Sequence, residues 1–257
     1  QRFLPDRHDQ RVGDDPNSTV HPVAWLSLKE HLEDTEAAAS DMVDAFGALD
    51  LSADMVQAAR LAARYHDIGK AHDVFQDAIR KTQGDGDAAP PASEVVLAKG
   101  GSRLGALRYS RPHFRHGLVS ALMLLGPERA LLEGVAEPDL VVYLAAAHHG
   151  RVRLGARRLD DERCPPGNAD CYIALGVVDG DHLRAGVELP DAVTSGGPVS
   201  LAHVGLGSGD GPALSYTARM LALRDRSDLG PFRLAWLEML VRAADWRASA
   251  HPRAVRP

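Results

Sequence analysis

One run of the sequence decides the fold, Tyr65-His66-Asp67-Ile68-Gly69-Lys70-Ala71-His72. His66 follows Ala59, Ala62 and Ala63 at spacings of seven, four and three residues, so a helix here places these side chains on one face. That face consists of small apolar residues and is therefore expected to pack in the core. A buried imidazole beside a buried carboxylate carries a desolvation cost of several kcal/mol unless both groups have partners. The run thus predicts a core helix that ends in a polar pair in need of a cation.

Other predicted helices also place a histidine or an aspartate on an otherwise apolar face. These residues are His31, His116, His148 and Asp245, and His149 directly follows His148. For any single histidine, a hydrogen bond within the core is the simpler explanation. Several imidazoles and carboxylates directed into one interior are better served by a shared cation, and the set offers nitrogen and oxygen donors but no thiolate. The pattern therefore predicts a metal site.

The remaining apolar residues also recur mostly at helical spacing, which predicts a mainly α fold. We expect a helical bundle over residues 23–257, preceded by a linker-like segment over residues 1–22. Helical spacing is clear over residues 214–224 and again over residues 232–248. The second of these helices begins after a Gly-Pro break, where proline suits the first helical turn.

Two segments depart from the helical pattern. Residues 82–101 are rich in Gly, Pro, Ala and Asp, and this composition predicts a mobile loop. Short apolar runs over residues 172–206 predict a small antiparallel β-hairpin insertion in the C-terminal half. Its first two runs are expected to be joined across Asp179-Gly180-Asp181.

Composition excludes several classes of protein. The chain has 257 residues, of which 45% are hydrophobic and 25% charged, and its formal net charge is −6. These values exclude a disulfide-stapled miniprotein and a polybasic nucleic-acid coat. Cys164 and Cys171 are too few for a disulfide framework and lack the spacing of a paired zinc site, which favours a reducing cytosol. The sequence shows no signal peptide and no apolar run long enough to span a membrane, so we expect a cytoplasmic protein without membrane contact.

Two basic runs adjoin the candidate metal ligands and predict contacts with phosphates. Their members are Arg108, Arg111 and Arg115 in the first run, and Arg151, Arg153, Arg157 and Arg158 in the second. Lys99 and Arg103 extend the first run towards the N-terminus. Tyr109 and Phe114 could stack on bases, although core packing is the simpler role for Phe114. A solvated surface is the alternative explanation for each arginine.

The run around His66, followed by Phe75-Gln76, resembles the signature of HD-superfamily metal phosphohydrolases. More narrowly, it is similar to the HD nuclease domain of the type I CRISPR-associated helicase-nuclease. The other elements of that domain follow its order: an upstream helical histidine, an Arg-His pair, a double histidine and a late Ala-Asp. Here these are His31, Arg115-His116, His148-His149 and Ala244-Asp245. The resemblance implies an HD-domain helical bundle.

The resemblance also implies two divalent metal ions. One ion would be held by His31, His66, Asp67 and Asp245, and the other by Asp67, His116, His148 and His149. Asp67 would bridge the two ions. Lys70 lies one helical turn after His66 on the same face and could steady a phosphate oxygen as a second catalytic residue, with an ordinary surface lysine as the alternative explanation. Manganese or iron is favoured by the resemblance, whereas cobalt, nickel and zinc also suit such ligands.

The leading hypothesis is a metal-dependent deoxyribonuclease that hydrolyses single-stranded DNA in type I CRISPR interference. The chain has no Gly-x-x-x-x-Gly-Lys-Ser/Thr phosphate loop, so its helicase would be another domain or subunit, in the same or another polypeptide. An RNA-guided CRISPR surveillance complex is the other expected partner. One alternative is an HD phosphohydrolase acting on nucleotides or cyclic nucleotides. Another is a catalytically inactive binding module.

Overall fold

Helices make up most of the structure, a computed structural model that describes residues 23–46, 51–83, 88–101, 107–150, 152–168, 170–205 and 215–252. Seven α-helices lie in these residues. They are α1 (Leu28–Phe46), α2 (Ala53–Tyr65), α3 (Asp73–Arg80), α4 (His116–Leu125), α5 (Pro138–Ala147), α6 (Tyr216–Asp225) and α7 (Gly230–Ala250). Single 3-10 turns follow at Ile68–Ala71, Arg129–Leu132 and Leu201–Val204. The prediction of a mainly α fold is confirmed. The predicted linker over residues 1–22 lies outside the described residues.

The centre of the bundle is formed by α2, α4 and α5. All ten residues of α4 are buried, as expected for a helix that is apolar on every side. The buried face of α2 carries the predicted alanines, whose small side chains let α5 and α1 approach closely. Ser52 caps α2 by accepting a hydrogen bond from the amide of Met55 at 3.2 Å. The outer helix α1 packs between α2 and α7, so the N-terminal and C-terminal helices lie side by side.

The two C-terminal helices lie close to their predicted positions. Ser215 accepts a hydrogen bond from the amide of Ala218 at 3.2 Å and thereby starts α6. Gly230 has φ of +63°, and Pro231 occupies the first turn of α7. The helix then runs for 21 residues and carries Asp245 into the interior. No helix in the described ranges has the length and apolarity needed to cross a membrane.

A strand pair replaces part of the predicted loop. Strand β1 (Val23–Ser27) pairs antiparallel with β2 (Leu97–Gly101), and Leu26 lies opposite Lys99. Gln76 on α3 holds β2 in place, because its side chain accepts from the amide of Leu97 at 3.0 Å and donates to the Leu97 carbonyl at 2.9 Å. The structure thus differs from the predicted loop over residues 82–101, because residues 97–101 form a strand. Residues 84–87 of the predicted loop lie outside the described residues. The composition did not reveal a strand that depends on partners elsewhere in the chain.

The predicted antiparallel insertion is present as two short strand pairs. Strand β3 (Ile173–Ala174) pairs with β4 (Val177–Val178), and β5 (His182–Leu183) pairs with β6 (Gly197–Pro198). The predicted position of the first turn was wrong. The chain reverses at Leu175-Gly176, where φ is +51° and +72°, values that suit a two-residue hairpin turn. The Asp179-Gly180-Asp181 segment instead connects β4 to β5.

The two cysteines are joined to each other. Cys164 and Cys171 form a disulfide across a separation of seven residues. This pairing does not match the expectation of a reducing cytosol, because disulfides are rare there. Cysteine spacing along the chain did not reveal that the turn between the two residues brings their side chains together.

Candidate metal centre

Five helices bring the candidate ligands to one place in the interior. Helix α1 provides His31, the end of α2 provides His66 and Asp67, the start of α4 provides His116, the end of α5 provides His148 and His149, and α7 provides Asp245. All of these side chains are buried except that of His149, which is partly buried. The structure therefore brings together every residue for which the sequence predicted a metal-ligating role.

The first group of donors comprises His31, His66, Asp67 and Asp245. The Nε2 atom of His31 lies 3.1 Å from Asp67 Oδ2 and 3.1 Å from Asp245 Oδ1. The Nε2 atom of His66 lies 3.2 Å from Asp67 Oδ2. One donor atom from each residue lies within 4.8 Å of the others. This spacing fits four ligands around one ion.

The second group comprises Asp67, His116, His148 and His149. Asp67 Oδ1 lies 3.1 Å from His116 Nε2 and 3.6 Å from His148 Nε2. The Nε2 atoms of His116 and His149 are 2.9 Å apart. These four donor atoms also lie within 4.8 Å of one another. The two carboxylate oxygens of Asp67 therefore face different donor groups, which is the arrangement that a bridging ligand requires.

Helix ends orient two of the histidines. His66 Nδ1 lies 2.8 Å from the Ala63 carbonyl, and His148 Nδ1 lies 2.7 Å from the Ala145 carbonyl. These carbonyls belong to the last turns of α2 and α5, where acceptors lack a partner within the helix. Each Nδ1 therefore donates a proton to its carbonyl, and each Nε2 is the ring atom directed into the centre. Ligand histidines in metal sites are typically held in this way.

Buried polar atoms without a hydrogen-bond partner support a cation at this centre. Among the described residues, they include His66 Nε2, His148 Nε2 and Asp67 Oδ1. An unsatisfied buried donor or acceptor costs about 1–3 kcal/mol, so three of them in one place call for a ligand. A divalent transition-metal ion accepts imidazole and carboxylate donors together. The residues present thus fit a metal-binding site.

Two lysines balance the charge of the carboxylates. Lys70 is 4% exposed, and its Nζ atom lies 2.5 Å from Asp67 Oδ2. Lys99 Nζ lies 3.7 Å from Asp245 Oδ1. Burial alone would raise the pKa of Asp67, but His66 and Lys70 hold it well below its usual value. The pKa of Asp245 is likewise held low, by Lys99 and His31 against the effect of burial. Both carboxylates are therefore ionised and ready to bind a cation.

Gly69 determines how closely the 3-10 turn after Asp67 approaches α4. A Cβ atom on this residue would overlap the carbonyl oxygen of His116 and lie 2.6 Å from the amide nitrogen of Ser120. The Gly69 amide instead donates to Ser120 Oγ at 2.9 Å. The absence of a side chain thus allows Asp67 to reach His116.

Ion pairs within the chain occupy part of the predicted basic surface. Arg111 pairs with Asp181 in the insertion, and Arg153 makes a two-pronged contact with Glu238 on α7 at 2.7–3.1 Å. The other described members of the two runs are Arg108, Arg157 and Arg158, which are exposed, and Arg115, which is partly exposed and precedes α4. Arg151 lies outside the described residues. The sequence could not reveal these acidic partners because they lie far away along the chain.

The aromatic residues of the first basic run pack inward. Phe114 is buried, and its ring centroid lies 5.3 Å from that of Tyr109 and 5.0 Å from that of His72. Core packing is therefore the role of Phe114. His72 caps α3 by accepting a hydrogen bond from the amide of Val74 at 3.1 Å, and it belongs to neither ligand group.

Sequence reasoning missed Lys99 as part of the centre. Its only signal was membership of a basic run, which suggested contacts with phosphate rather than with Asp245. The assignment of residues 82–101 to a loop concealed that β2 directs Lys99 towards α7.

Comparison with known proteins agrees with the geometry of the centre. The family model described as "Cas3, HD domain" matches residues 13–253. Searches of curated proteins and of solved structures gave no match. The match covers nearly the whole chain, and the predicted resemblance is therefore confirmed. The chain belongs to the Cas3 HD domain family, a family of CRISPR-associated, metal-dependent HD nucleases.

Proposed function

We propose that this protein is a metal-dependent deoxyribonuclease that hydrolyses phosphodiester bonds of single-stranded DNA in type I CRISPR interference. The observation that carries the proposal is the position of Asp67, whose Oδ2 faces His31 and His66 while its Oδ1 faces His116 and His148. A carboxylate so placed suits two ions rather than one. When bound, a pair of divalent ions activates water and stabilises the charge that develops on a phosphodiester and its leaving oxygen.

The protein residues would supply the remaining functions. His31, His66, Asp67 and Asp245 would hold one ion, and Asp67, His116, His148 and His149 the other. Burial lowers the pKa of His116 to about 4, so its ring is neutral at physiological pH and can donate a lone pair. Lys70 would act at two points, because it keeps Asp67 ionised and places a positive charge where a phosphate oxygen would bind.

The donor set restricts the choice of metal without deciding it. Imidazole nitrogens and carboxylate oxygens suit manganese, iron, cobalt, nickel and zinc, and no thiolate is present to favour a softer ion. We favour manganese or iron because of the family to which the chain belongs. The Cys164–Cys171 disulfide lies outside both ligand groups. A reducing cytoplasm, the compartment that we propose, would therefore leave the centre intact.

The proposed partners follow from the CRISPR context of the family. A helicase domain or subunit, in the same or another polypeptide, would deliver single-stranded DNA, and an RNA-guided surveillance complex would select the target. The exposed Arg108, Arg157 and Arg158 are the predicted phosphate contacts that pair with no acidic side chain among the described residues. They offer positive charge to a strand entering the centre.

A side-by-side assay tests the proposal. The purified chain would be incubated with a single-stranded oligonucleotide, deoxynucleoside triphosphates and cyclic dinucleotides, each in the presence of Mn²⁺, Fe²⁺, Co²⁺, Ni²⁺ or Zn²⁺. We expect the oligonucleotide to be cut and the small nucleotides to remain intact. Asp67→Asn should abolish cutting, whereas the exposed control Asp77→Asn on α3 should cut like the unmodified chain. Turnover of small nucleotides without cutting of DNA would favour the nucleotide phosphohydrolase alternative.

A further inference from the structure

An exposed tryptophan and a partly buried arginine lie together on α7, the helix that supplies Asp245. Trp246 directly follows the buried Asp245 and is 50% exposed. The guanidinium carbon of Arg242, one helical turn earlier, lies 4.7 Å from the centroid of the Trp246 ring. With Arg242 on one face, the half-exposed ring still has surface on which a second planar group can stack.

Arg242 differs from the neighbouring arginine Arg153 in its charge balance. Arg153 pairs with Glu238, whereas none of the described carboxylates lies within salt-bridge distance of Arg242. The Nε atom of Arg242 is buried and has no hydrogen-bond partner. An arginine whose charge is balanced by none of the described carboxylates is suited to binding an anion.

The position of this pair relates it to the centre. Gly150 follows the double histidine, and a Cβ atom built on it would lie 3.5 Å from a terminal nitrogen of Arg242. The Arg242 guanidinium therefore adjoins the backbone that leaves His149. On the other side, Trp246 is joined through the backbone to Asp245. The pair therefore lies against the segment that leaves the centre at His149, on the helix that also supplies Asp245.

We propose that Trp246 and Arg242 form a seat for one nucleotide of single-stranded nucleic acid at the edge of the metal centre. The indole would stack on a base, and Arg242 would contact the neighbouring phosphate. Stacking on an aromatic ring accepts any base, so such a seat would not select among sequences. The inference rests on the proposed nuclease function and adds the positioning residues that hold the strand for it.

Equilibrium binding of a fluorescent single-stranded 12-mer to the full chain, with a chelator present to prevent cutting, tests this seat. Trp246→Ala should weaken binding about tenfold, while Trp246→Phe, which keeps a ring, should retain most of the affinity. Arg242→Ala should weaken binding and reduce its dependence on salt. A strand of the same length without bases should bind equally to the unmodified chain and to Trp246→Ala, because it offers phosphates but nothing to stack.

Matched controls separate this seat from a general effect of the substitutions. Phe232→Ala removes an aromatic residue that is 78% exposed at the other end of α7, and Arg224→Ala removes an arginine that pairs with Asp225. Both variants should bind the strand like the unmodified chain. If Trp246→Ala binds the 12-mer as tightly as the unmodified chain, or loses affinity equally for the strand without bases, the seat does not exist.

A small substrate separates failure of the seat from failure of the nuclease proposal. Bis(p-nitrophenyl) phosphate is a phosphodiester without a nucleotide chain, and the manganese-loaded Trp246→Ala variant should hydrolyse it within twofold of the unmodified rate. A greater loss would show that Trp246 supports the centre itself, and would overturn its assignment to strand binding. If the unmodified chain hydrolysed neither this diester nor DNA, the nuclease proposal would fail, while the binding measurements would still decide the seat.

Discussion

Gly69 lies so close to α4 that a Cβ atom on it would overlap the carbonyl oxygen of His116. The glycine of the HD run is therefore a packing residue, because it brings the backbone after Asp67 against the helix that begins at His116. Neither the backbone oxygen nor the nearby Ser120 amide can move without shifting α4.

Gly69→Ala is expected to lower the free energy of unfolding by about 3 kcal/mol. The closest atoms that the added Cβ would meet belong to the backbone, which cannot move aside as a flexible side chain can. Urea unfolding measures this loss. The control is Gly205→Ala, where a Cβ atom would lie 3.4 Å from the Ala202 carbonyl and φ is −58°. That variant should stay within about 0.5 kcal/mol of the unmodified protein. Equal stability of both variants would refute the packing role of Gly69.

Metal stoichiometry should distinguish Asp67 from Asp245. Asp67 belongs to both donor groups, whereas Asp245 belongs to one. Calorimetric titration with Mn²⁺ is therefore expected to show two ions for the unmodified chain, one for Asp245→Asn and weak or no binding for Asp67→Asn. Asp77→Asn serves as the surface control and should retain two. Two tightly bound ions in Asp67→Asn would exclude a bridging role for this residue.

Lys70→Met should separate metal binding from catalysis. The ammonium lies 2.5 Å from Asp67 Oδ2, where it repels an incoming cation and attracts a phosphate. Its removal is expected to leave manganese affinity unchanged or higher, while the rate of strand cleavage falls on the order of 100-fold. The exposed Lys81→Met serves as the control and should alter neither quantity. Cleavage at the full rate by Lys70→Met would confine Lys70 to charge balance in the core.

The two arginines Arg153 and Arg157 should behave differently although both belong to the same basic run. Arg153 is tied to Glu238, which is buried and also accepts a hydrogen bond from the Tyr143 hydroxyl at 3.0 Å. Arg153→Ala should therefore lower the free energy of unfolding by about 1–2 kcal/mol. Arg157→Ala should leave the free energy of unfolding unchanged and weaken strand binding. The slope of log affinity against log salt concentration should fall by about the amount that one phosphate contact contributes. The reverse pattern would contradict this division between a structural and a binding arginine.

The helical part of the fold and the ligand candidates could be predicted because they depend on local periodicity. A histidine three, four and seven residues from apolar neighbours faces the same way as they do in any helix, so His66 and His148 could be placed inside before their surroundings were known. The mainly α architecture follows from the same rule. The turn of the first hairpin was misplaced because Leu175 adopts a positive φ that its residue type does not favour.

Contacts between distant segments could not be predicted in this way. Three contacts join residues that are far apart in the chain: β1 pairs with β2, Lys99 lies near Asp245, and Arg153 forms a salt bridge with Glu238. From composition, the segment containing β2 was expected to be a loop, and Lys99 and Arg153 were expected to belong to a basic surface. Their partners became apparent only when the helices were packed together.

The sequence by itself determined which side chains are directed into the interior, because the direction of a side chain on a helix depends only on its position along that helix. The tertiary structure alone decided that donors from five helices meet around the two oxygens of Asp67, and that Arg242 lies against both the Trp246 ring and the segment after His149. The physical reason is that distances between helices depend on how whole surfaces pack, with Gly69 setting the closest approach, and no single segment contains that information.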